Sequence, residues 1–136
     1  HYDTHRGIQA MVRDLNNLYR EHPALYTHDC DSQGFEWLDC QDEEHSVLAF
    51  VRNGGGRQLV CLLNFTPVPR HNYRVPLPQE GYYREVFNSD SAHYGGSNCG
   101  NGGIEAQQHA WGERPYSGSL TLPPLGMLIL ESGPGK

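Results

Sequence analysis

The chain has 136 residues, enough for one compact domain with its own core and too few for a barrel enzyme. Ten Lys and Arg residues against 16 Asp and Glu residues give a net charge of −6, which makes nucleic acid and anionic membranes unfavourable partners. The longest apolar run, 59–63, is far shorter than the ~20 residues of a membrane helix, and the N-terminus has no signal-like apolar core. We expect a soluble single domain with no mark for export.

The first predicted element is an amphipathic helix over residues 4–22. Its apolar residues recur at intervals of three and four, the spacing of one helical face. Thr4 is the predicted N-cap, and Pro23 is predicted to end the helix. The face is formed by Ile8, Met11, Val12, Leu15, Leu18 and Tyr19.

Beyond Pro23 the pattern changes to short segments rich in Val, Tyr, Phe and Thr, separated about every ten residues by Gly, Pro and Asn clusters. This pattern predicts an all-β fold that follows one N-terminal α-helix, either a β-sandwich or a barrel, with most strands paired antiparallel. The predicted strands are 35–39, 46–52, 58–64, 73–75, 82–88, 118–122 and 127–131.

One hairpin is predicted with particular clarity. The sequence NGGG at 53–56 supplies the positive φ angles of a tight reversal, so 47–51 and 59–63 form its two arms. Both arms are apolar at nearly every position, which requires cover on both faces of the sheet. We expect the opposing sheet to cover one face and the N-terminal helix to cover the other.

The region 88–116 is long, polar and rich in glycine, and loops of this kind are often functional or mobile. Sugars stack on aromatic rings and hydrogen-bond to amide side chains, so the region is a candidate carbohydrate surface. The alternative, that each aromatic is a partly buried packing residue, is the commoner case. The candidate contacts are Tyr94, Asn98, Asn101, Trp111 and Tyr116. Trp37, which alternates with Phe35, indicates instead a core or interface position.

The residues suggest no catalytic site and no cofactor site. Retaining glycosidic chemistry needs two carboxylates about 5–5.5 Å apart, and Glu85 with Asp90 is better explained as a pair of solvated side chains. Asp90, Ser91 and His93 are close in sequence, but a catalytic triad is defined by spatial arrangement. The stretch 95–103 lacks the Gly-Lys-Ser/Thr ending of a phosphate loop.

No metal site is predicted either. His1 and His5 stand four residues apart with Asp3 between them, which most often describes surface histidines at a helix end. The four cysteines show no Cys-x-x-Cys spacing, so we expect free thiols rather than a zinc site or a disulfide framework. They are Cys30, Cys40, Cys61 and Cys99.

Six segments, taken in chain order, are distributed over residues 34–125. They are 34–38 (GFEWL), 64–70 (NFTPVPR), 84–91 (REVFNSDS), 93–98 (HYGGSN), 100–103 (GNGG) and 120–125 (LTLPPL). Together they closely resemble the C-terminal region of bacterial glycogen branching enzymes, members of the alpha-amylase superfamily. The chain departs from that pattern at Cys61, at Cys99 and over 105–118.

The resemblance implies a domain division. The helix, with GIQ at 7–9 and VRDLN at 12–16, looks like the final helix of the family's catalytic (β/α)8 barrel. Residues 1–23 would then belong to that barrel, 24–132 would form the C-terminal all-β domain, and 133–136 would be a flexible tail. The resemblance implies that this all-β domain is an antiparallel β-sandwich of Greek-key type.

The resemblance also implies a function. Branching enzymes cleave an α-1,4-glucan and transfer the released segment to a 6-hydroxyl, which forms an α-1,6 branch. Their catalytic carboxylates lie on barrel loops upstream of this region, so none is carried over. The implied role is a non-catalytic domain that stabilises the barrel and guides glucan, in the cytoplasm. An independent carbohydrate-binding module is the alternative, and a small self-sufficient enzyme ranks last.

Separated from a barrel, the apolar helix face would be left without part of its packing. Each side chain left in water forgoes about 1.5–3 kcal/mol of burial free energy. We therefore expect the face to pack onto the sheet, to pair with a second copy as a dimer, or to become disordered. The residues concerned are Ile8, Met11, Leu15 and Leu18.

Overall fold

The computed structural model describes residues 2–39, 46–97, 99–111 and 114–132. Its helical elements are α1 (Tyr2–Glu21), α2 (Pro23–Tyr26) and two 3-10 turns, η1 (Ser32–Gly34) and η2 (Ala92–Tyr94). Its strands are β1 (Phe35–Asp39), β2 (Val47–Gly54), β3 (Arg57–Asn64), β4 (Arg70–Leu77), β5 (Gly81–Asn88), β6 (Gly103–Ala106), β7 (Tyr116–Leu122) and β8 (Gly126–Ser132). Within these ranges, no helix is both long enough and apolar enough to cross a membrane.

The strands form two antiparallel sheets. The larger sheet has the order β1-β2-β3-β8-β5-β6, and the smaller one pairs β4 with β7. The chain leaves the larger sheet after β3 and again after β6, and β8 returns between β3 and β5. The predicted antiparallel sandwich with one main helix is therefore confirmed.

The predicted hairpin is confirmed residue by residue. Val47 pairs with Asn64 and Gly54 pairs with Arg57, in unbroken register. The reversal is made by Gly55 and Gly56, whose φ angles of 60° and 73° lie in the left-handed region that glycine adopts without strain.

The main core lies between the two sheets. Alternate residues of β2, such as Val47, Ala49 and Val51, point into it from the larger sheet. The buried side chains of this core are Val47, Ala49, Val51, Val60, Leu62, Val75, Leu77, Tyr83, Ile104, Ala106, Leu120, Leu122, Leu128 and Leu130.

Helix α1 covers the opposite face of the larger sheet. Its residues Met11, Leu15 and Leu18 pack against a second cluster, which includes Leu59 of β3 and Ile129 of β8. The expectation that the helix covers the outer face is confirmed, and packing onto the sheet is the outcome observed for these three residues. Ile8 does not take part, since it is 55% exposed.

A polar cluster around the buried carboxylate of Glu131 fixes the C-terminal end of α1 to the sheet. His22, which joins α1 to α2, is 3% exposed, and its Nε2 lies 2.6 Å from Oε2 of Glu131. Arg57 donates to the same oxygen from Nε at 2.9 Å and from Nη2, and Arg84 donates to Oε1 at 2.9 Å. Burial opposes the ionisation of Glu131, but the hydrogen bonds from Arg57, His22 and Arg84 outweigh it and hold its pKa below the ordinary value.

Three details of the sequence-based prediction are wrong. The helix begins at Tyr2, so Thr4 lies inside it and is not the N-cap; nothing before Thr4 in the sequence breaks a helix. The strand predicted over 73–75 extends from Arg70 to Leu77, although a bulge interrupts its pairing with β7. The polar region after β5 contains η2 and β6. The segment 133–136, predicted to be a flexible tail, lies outside the described residues.

We expect Glu131→Gln to lower the free energy of unfolding at pH 7 by about 2 kcal/mol, because the amide leaves Arg57 and Arg84 without their anion. A carboxyl group with a depressed folded pKa contributes stability above its unfolded pKa, about 4.3, and loses it as the pH falls through the folded pKa. The stability difference between wild type and E131Q should therefore shrink below about pH 4. Urea unfolding over a pH series measures this difference in unfolding free energy. A difference that stays constant with pH would contradict the stabilising role of the ionised Glu131.

Candidate functional site

The segment that follows β5 is held by its own polar side chains. Asn88 donates from Nδ2 to the carbonyl of Cys99 at 3.0 Å, and its Oδ1 accepts from the backbone N–H of Asp90 at 2.8 Å. The two carboxylate oxygens of Asp90 accept from the N–H groups of Ser97 and Cys99 at 3.2 and 2.9 Å. Asp90 therefore closes the loop by accepting backbone hydrogen bonds.

Tyr94 fastens this loop to helix α1. Its hydroxyl donates to Oδ2 of Asp14 at 2.6 Å, and its ring centroid lies 5.7 Å from that of Phe87. Burial, with the Asp14 hydrogen bond and charge, raises the pKa of Tyr94 to about 12. The helix approaches so closely that a Cβ on Gly7 would lie 2.2 Å from the carbonyl oxygen of Tyr94. Tyr94 thus has an anchoring role in the structure.

Asn101 is likewise engaged inside the fold. Its side-chain amide donates to the carbonyl of Thr121 at 2.9 Å and accepts from the N–H of Thr121 at 2.8 Å. Its backbone N–H donates to Oε2 of Glu85 at 3.1 Å. Asn101 and Tyr94 line one cleft of about 450 Å³ together with Glu85 and Asn88.

The other predicted contacts lie elsewhere. Trp111 is 43% exposed, exchanges backbone hydrogen bonds with Arg114, and lies between β6 and β7. Tyr116 begins β7, where it pairs with Leu77 of the smaller sheet. Asn98 lies outside the described residues. Of the described candidates, Tyr94 and Asn101 line one cleft, and Trp111 and Tyr116 are not among the residues that line it.

An exposed aromatic cluster was missed by the sequence analysis. Trp37 is 50% exposed and Phe35 is 36% exposed, so neither belongs to the core. The Phe35 ring centroid lies 4.9 Å from that of Trp37 and 5.1 Å from that of Phe50. We call Phe35, Trp37 and Phe50 the edge aromatic cluster. The alternation of Phe35 and Trp37 was the available signal, but their exposure follows from the edge position of β1, which the sequence did not reveal.

Ser91, His93 and Asp90, the trio considered in the sequence, are not arranged as a nucleophile with its base. Ser91 Oγ accepts from the backbone N–H of His93 at 3.1 Å, which caps η2, and His93 Nε2 lies 3.8 Å from Oδ2 of Asp14. Glu85 and Asp90, considered above as a carboxylate pair, both accept backbone N–H groups of the loop. These side chains organise the chain locally.

In the part of the chain that the structure describes, no side chains are arranged as a metal site or as a reactive thiol site. No three His, Cys, Asp or Glu side chains there are grouped to hold a metal ion, and His1 falls outside it. Cys30, Cys61 and Cys99 are free thiols, whereas Cys40 is not among the described residues. Burial raises the pKa of Cys61 to about 12, which disfavours the reactive thiolate.

Comparison with protein families and curated proteins gives consistent matches. Residues 37–133 match the model of the alpha amylase C-terminal all-beta domain. The chain is 51% identical over 138 aligned positions to the 1,4-alpha-glucan branching enzyme GlgB of Synechococcus elongatus, covering 98% of this chain and 18% of that protein. It is 54% identical over 127 positions to GlgB of Hydrogenovibrio crunogenus, covering 93% and 18% respectively. The chain thus spans less than a fifth of these relatives.

Solved structures support the fold. An alpha-amylase from H. orenii aligns with a TM-score of 0.53 and 21% identity, over 89% of this chain and 19% of that one. An isomaltulose synthase from Erwinia rhapontici aligns with a TM-score of 0.51 and 20% identity, over 90% and 17%. At these identities the likeness concerns the fold alone.

Proposed function

The chain belongs to the alpha-amylase C-terminal all-beta domain family, and we propose that it is the non-catalytic C-terminal region of a glycogen branching enzyme. The enzyme as a whole would transfer α-1,4-glucan segments to form α-1,6 branches. The identity to branching enzymes over nearly the full chain carries this proposal. The candidate carboxylates of the chain are engaged by backbone N–H groups, which agrees with a region that performs no chemistry itself.

The work proposed for this region is to support the catalytic barrel, with α1 as the barrel's last helix. The apolar face of the helix is covered only in part. Met11, Leu15 and Leu18 pack on the sheet. The flank of the same face presents Ile8, Val12 and Tyr19 at 55%, 51% and 43% exposure. Large apolar side chains exposed on one helix face commonly mark an interaction surface. Contact with the barrel would bury them and make α1 a shared element of both domains.

The edge aromatic cluster favours a second activity, glucan contact. Exposed rings offer flat apolar surfaces to the C–H faces of sugars, and Trp37 is the most exposed member. Trp111, also exposed, remains a candidate contact. Tyr94 and Asn101 have partners inside the fold, so we no longer propose them as the principal contacts. A binding role of this kind would let the domain guide glucan toward the barrel.

The cytoplasmic location implied by the resemblance stays a proposal. A dimer through the predicted helix face is less well supported, because Met11, Leu15 and Leu18 already pack against the sheet of the same chain. Of these four residues, Ile8 alone is exposed, and barrel contact would use it.

Val12→Asp tests the barrel contact. In the 136-residue chain the new carboxylate faces water, so the free energy of unfolding should change by less than about 0.5 kcal/mol. In the complete branching enzyme the same charge would be buried, and thermal unfolding should show a clear loss of stability.

The matched control is Leu15→Asp, which should destabilise both forms because Leu15 packs on the sheet. If the complete enzyme tolerates Val12→Asp as well as the chain does, this helix face does not contact the barrel.

Tryptophan fluorescence during titration with maltoheptaose tests glucan contact. We expect a saturable change that Trp37→Ala removes in large part and that Trp111→Ala reduces less, since Trp37 belongs to a ring cluster. A branching assay on the same samples should show no turnover. If the tryptophan fluorescence of the wild-type chain does not change, only the role as a support for the barrel is left. Turnover by the 136-residue chain would overturn the proposal that it is non-catalytic.

A further inference from the structure

A second polar cleft opens at the end of the sandwich, where the β2–β3 turn meets the connection from β4 to β5. Its volume is about 480 Å³, within the range of about 300–1,000 Å³ typical of small-molecule sites. Asn53, Gln58, Gln79 and Ser132 line it, with Arg57 and His28. It is separate from the edge aromatic cluster, whose rings do not line it.

The side-chain amides of this cleft form a connected network. Gln58 donates from Nε2 to Oδ1 of Asn53 at 2.9 Å, and its Oε1 accepts from Nε2 of Gln79 at 3.4 Å. Gln79 also donates to Oγ of Ser132 at 3.1 Å. An amide has two N–H donors and two acceptor lone pairs, so the network uses part of its capacity and presents the rest to the cleft.

The backbone holds these amides in place. Gln58 pairs with Asn53 across the hairpin, one step from the turn. The backbone N–H of Gln79 donates to the hydroxyl of Tyr83, and that hydroxyl donates to the Gln79 carbonyl at 2.9 Å. Because Tyr83 is fully buried, Gln79 projects from a fixed position. The amides are therefore pre-organised, which lowers the entropic cost of binding.

The charges around the cleft favour a neutral ligand. Arg57 is paired with Glu131, and Nδ1 of His28 lies 3.0 Å from Oδ2 of Asp31. Arg57 and His28 thus already have carboxylate partners, in a chain of net charge −6. A phosphate would compete with those carboxylates, whereas hydroxyl groups, which donate and accept at once, complement amides without a charge.

We propose that this cleft is a hydrogen-bonding subsite for the hydroxyl groups of α-glucan, with Gln58 and Gln79 as its principal contacts. The proposal rests on the proposed function, which supplies the glucan. It adds a recognition site of a different kind from the edge aromatic cluster, because Trp, Tyr and Phe are not among the described residues that line the cleft.

The test follows the side-chain amide signals of the ¹⁵N-labelled 136-residue chain by NMR while maltoheptaose is added. The amide signals of Asn53, Gln58 and Gln79 should shift and saturate. The double variant Gln58→Ala, Gln79→Ala should raise the Kd at this site roughly tenfold, the loss expected for a few neutral hydrogen bonds. The variant keeps the backbone bonds to Tyr83 and should fold normally, which thermal unfolding verifies.

Two matched variants make the result specific. Gln9→Ala, an exposed amide on α1, should leave the cleft signals unchanged, and so should Trp37→Ala, which removes only the aromatic contact. Three results would each overturn the subsite. The amide signals could fail to shift, the double variant could bind maltoheptaose as tightly as the wild type, or the signals could shift with inorganic phosphate and not with maltoheptaose. None of these results alters the Trp37 fluorescence response, so failure of the subsite is distinguishable from failure of the proposed function.

Discussion

The packing of helix α1 on the larger sheet is the interaction on which the rest of the structure depends. Strands β3 and β8 lie at the centre of that sheet and carry apolar side chains on both faces, so the sheet needs cover on both. The smaller sheet covers one face and α1 covers the other. Each apolar side chain so removed from water stabilises the fold by about 1.5–3 kcal/mol, and the bonds of Glu131 fix the end of the helix. Without the helix, the cluster of Leu59 and Ile129 would lose the cover of Met11, Leu15 and Leu18.

This arrangement makes the helix, which the resemblance assigns to a barrel, a structural part of the sandwich. One part of its apolar face packs on the sheet, and the flank of that face remains exposed. The loop after β5 reinforces the same junction, since Tyr94 reaches Asp14 of the helix. Polar residues that look functional in the sequence are therefore used to hold helix, loop and sheet together. The ligand contacts that we propose lie instead at the sheet edge and at the sandwich end, with the edge aromatic cluster and the cleft amides.

The sequence predicted what depends on local patterns. The hairpin followed from a glycine turn between two apolar segments, and the cover of its outer face followed from the lack of a polar face on those segments. It did not predict β6, a four-residue strand after a glycine-rich stretch, because the pairing with β5 is a tertiary contact. The bonds of Asn101 to Thr121 join residues 20 positions apart, which no local pattern reports. The exposure of Trp37 likewise depends on which strand lies at the edge.

Amide hydrogen exchange of the 136-residue chain tests most directly whether helix and sheet form one cooperative unit. If they do, the amides of α1 around Leu15 and Leu18 should exchange with nearly the same opening free energy as those of β3 and β8. Exchange of the α1 amides at the rate of an unprotected helix, while β3 and β8 stay protected, would show that the sheet is stable without its cover and would contradict this account.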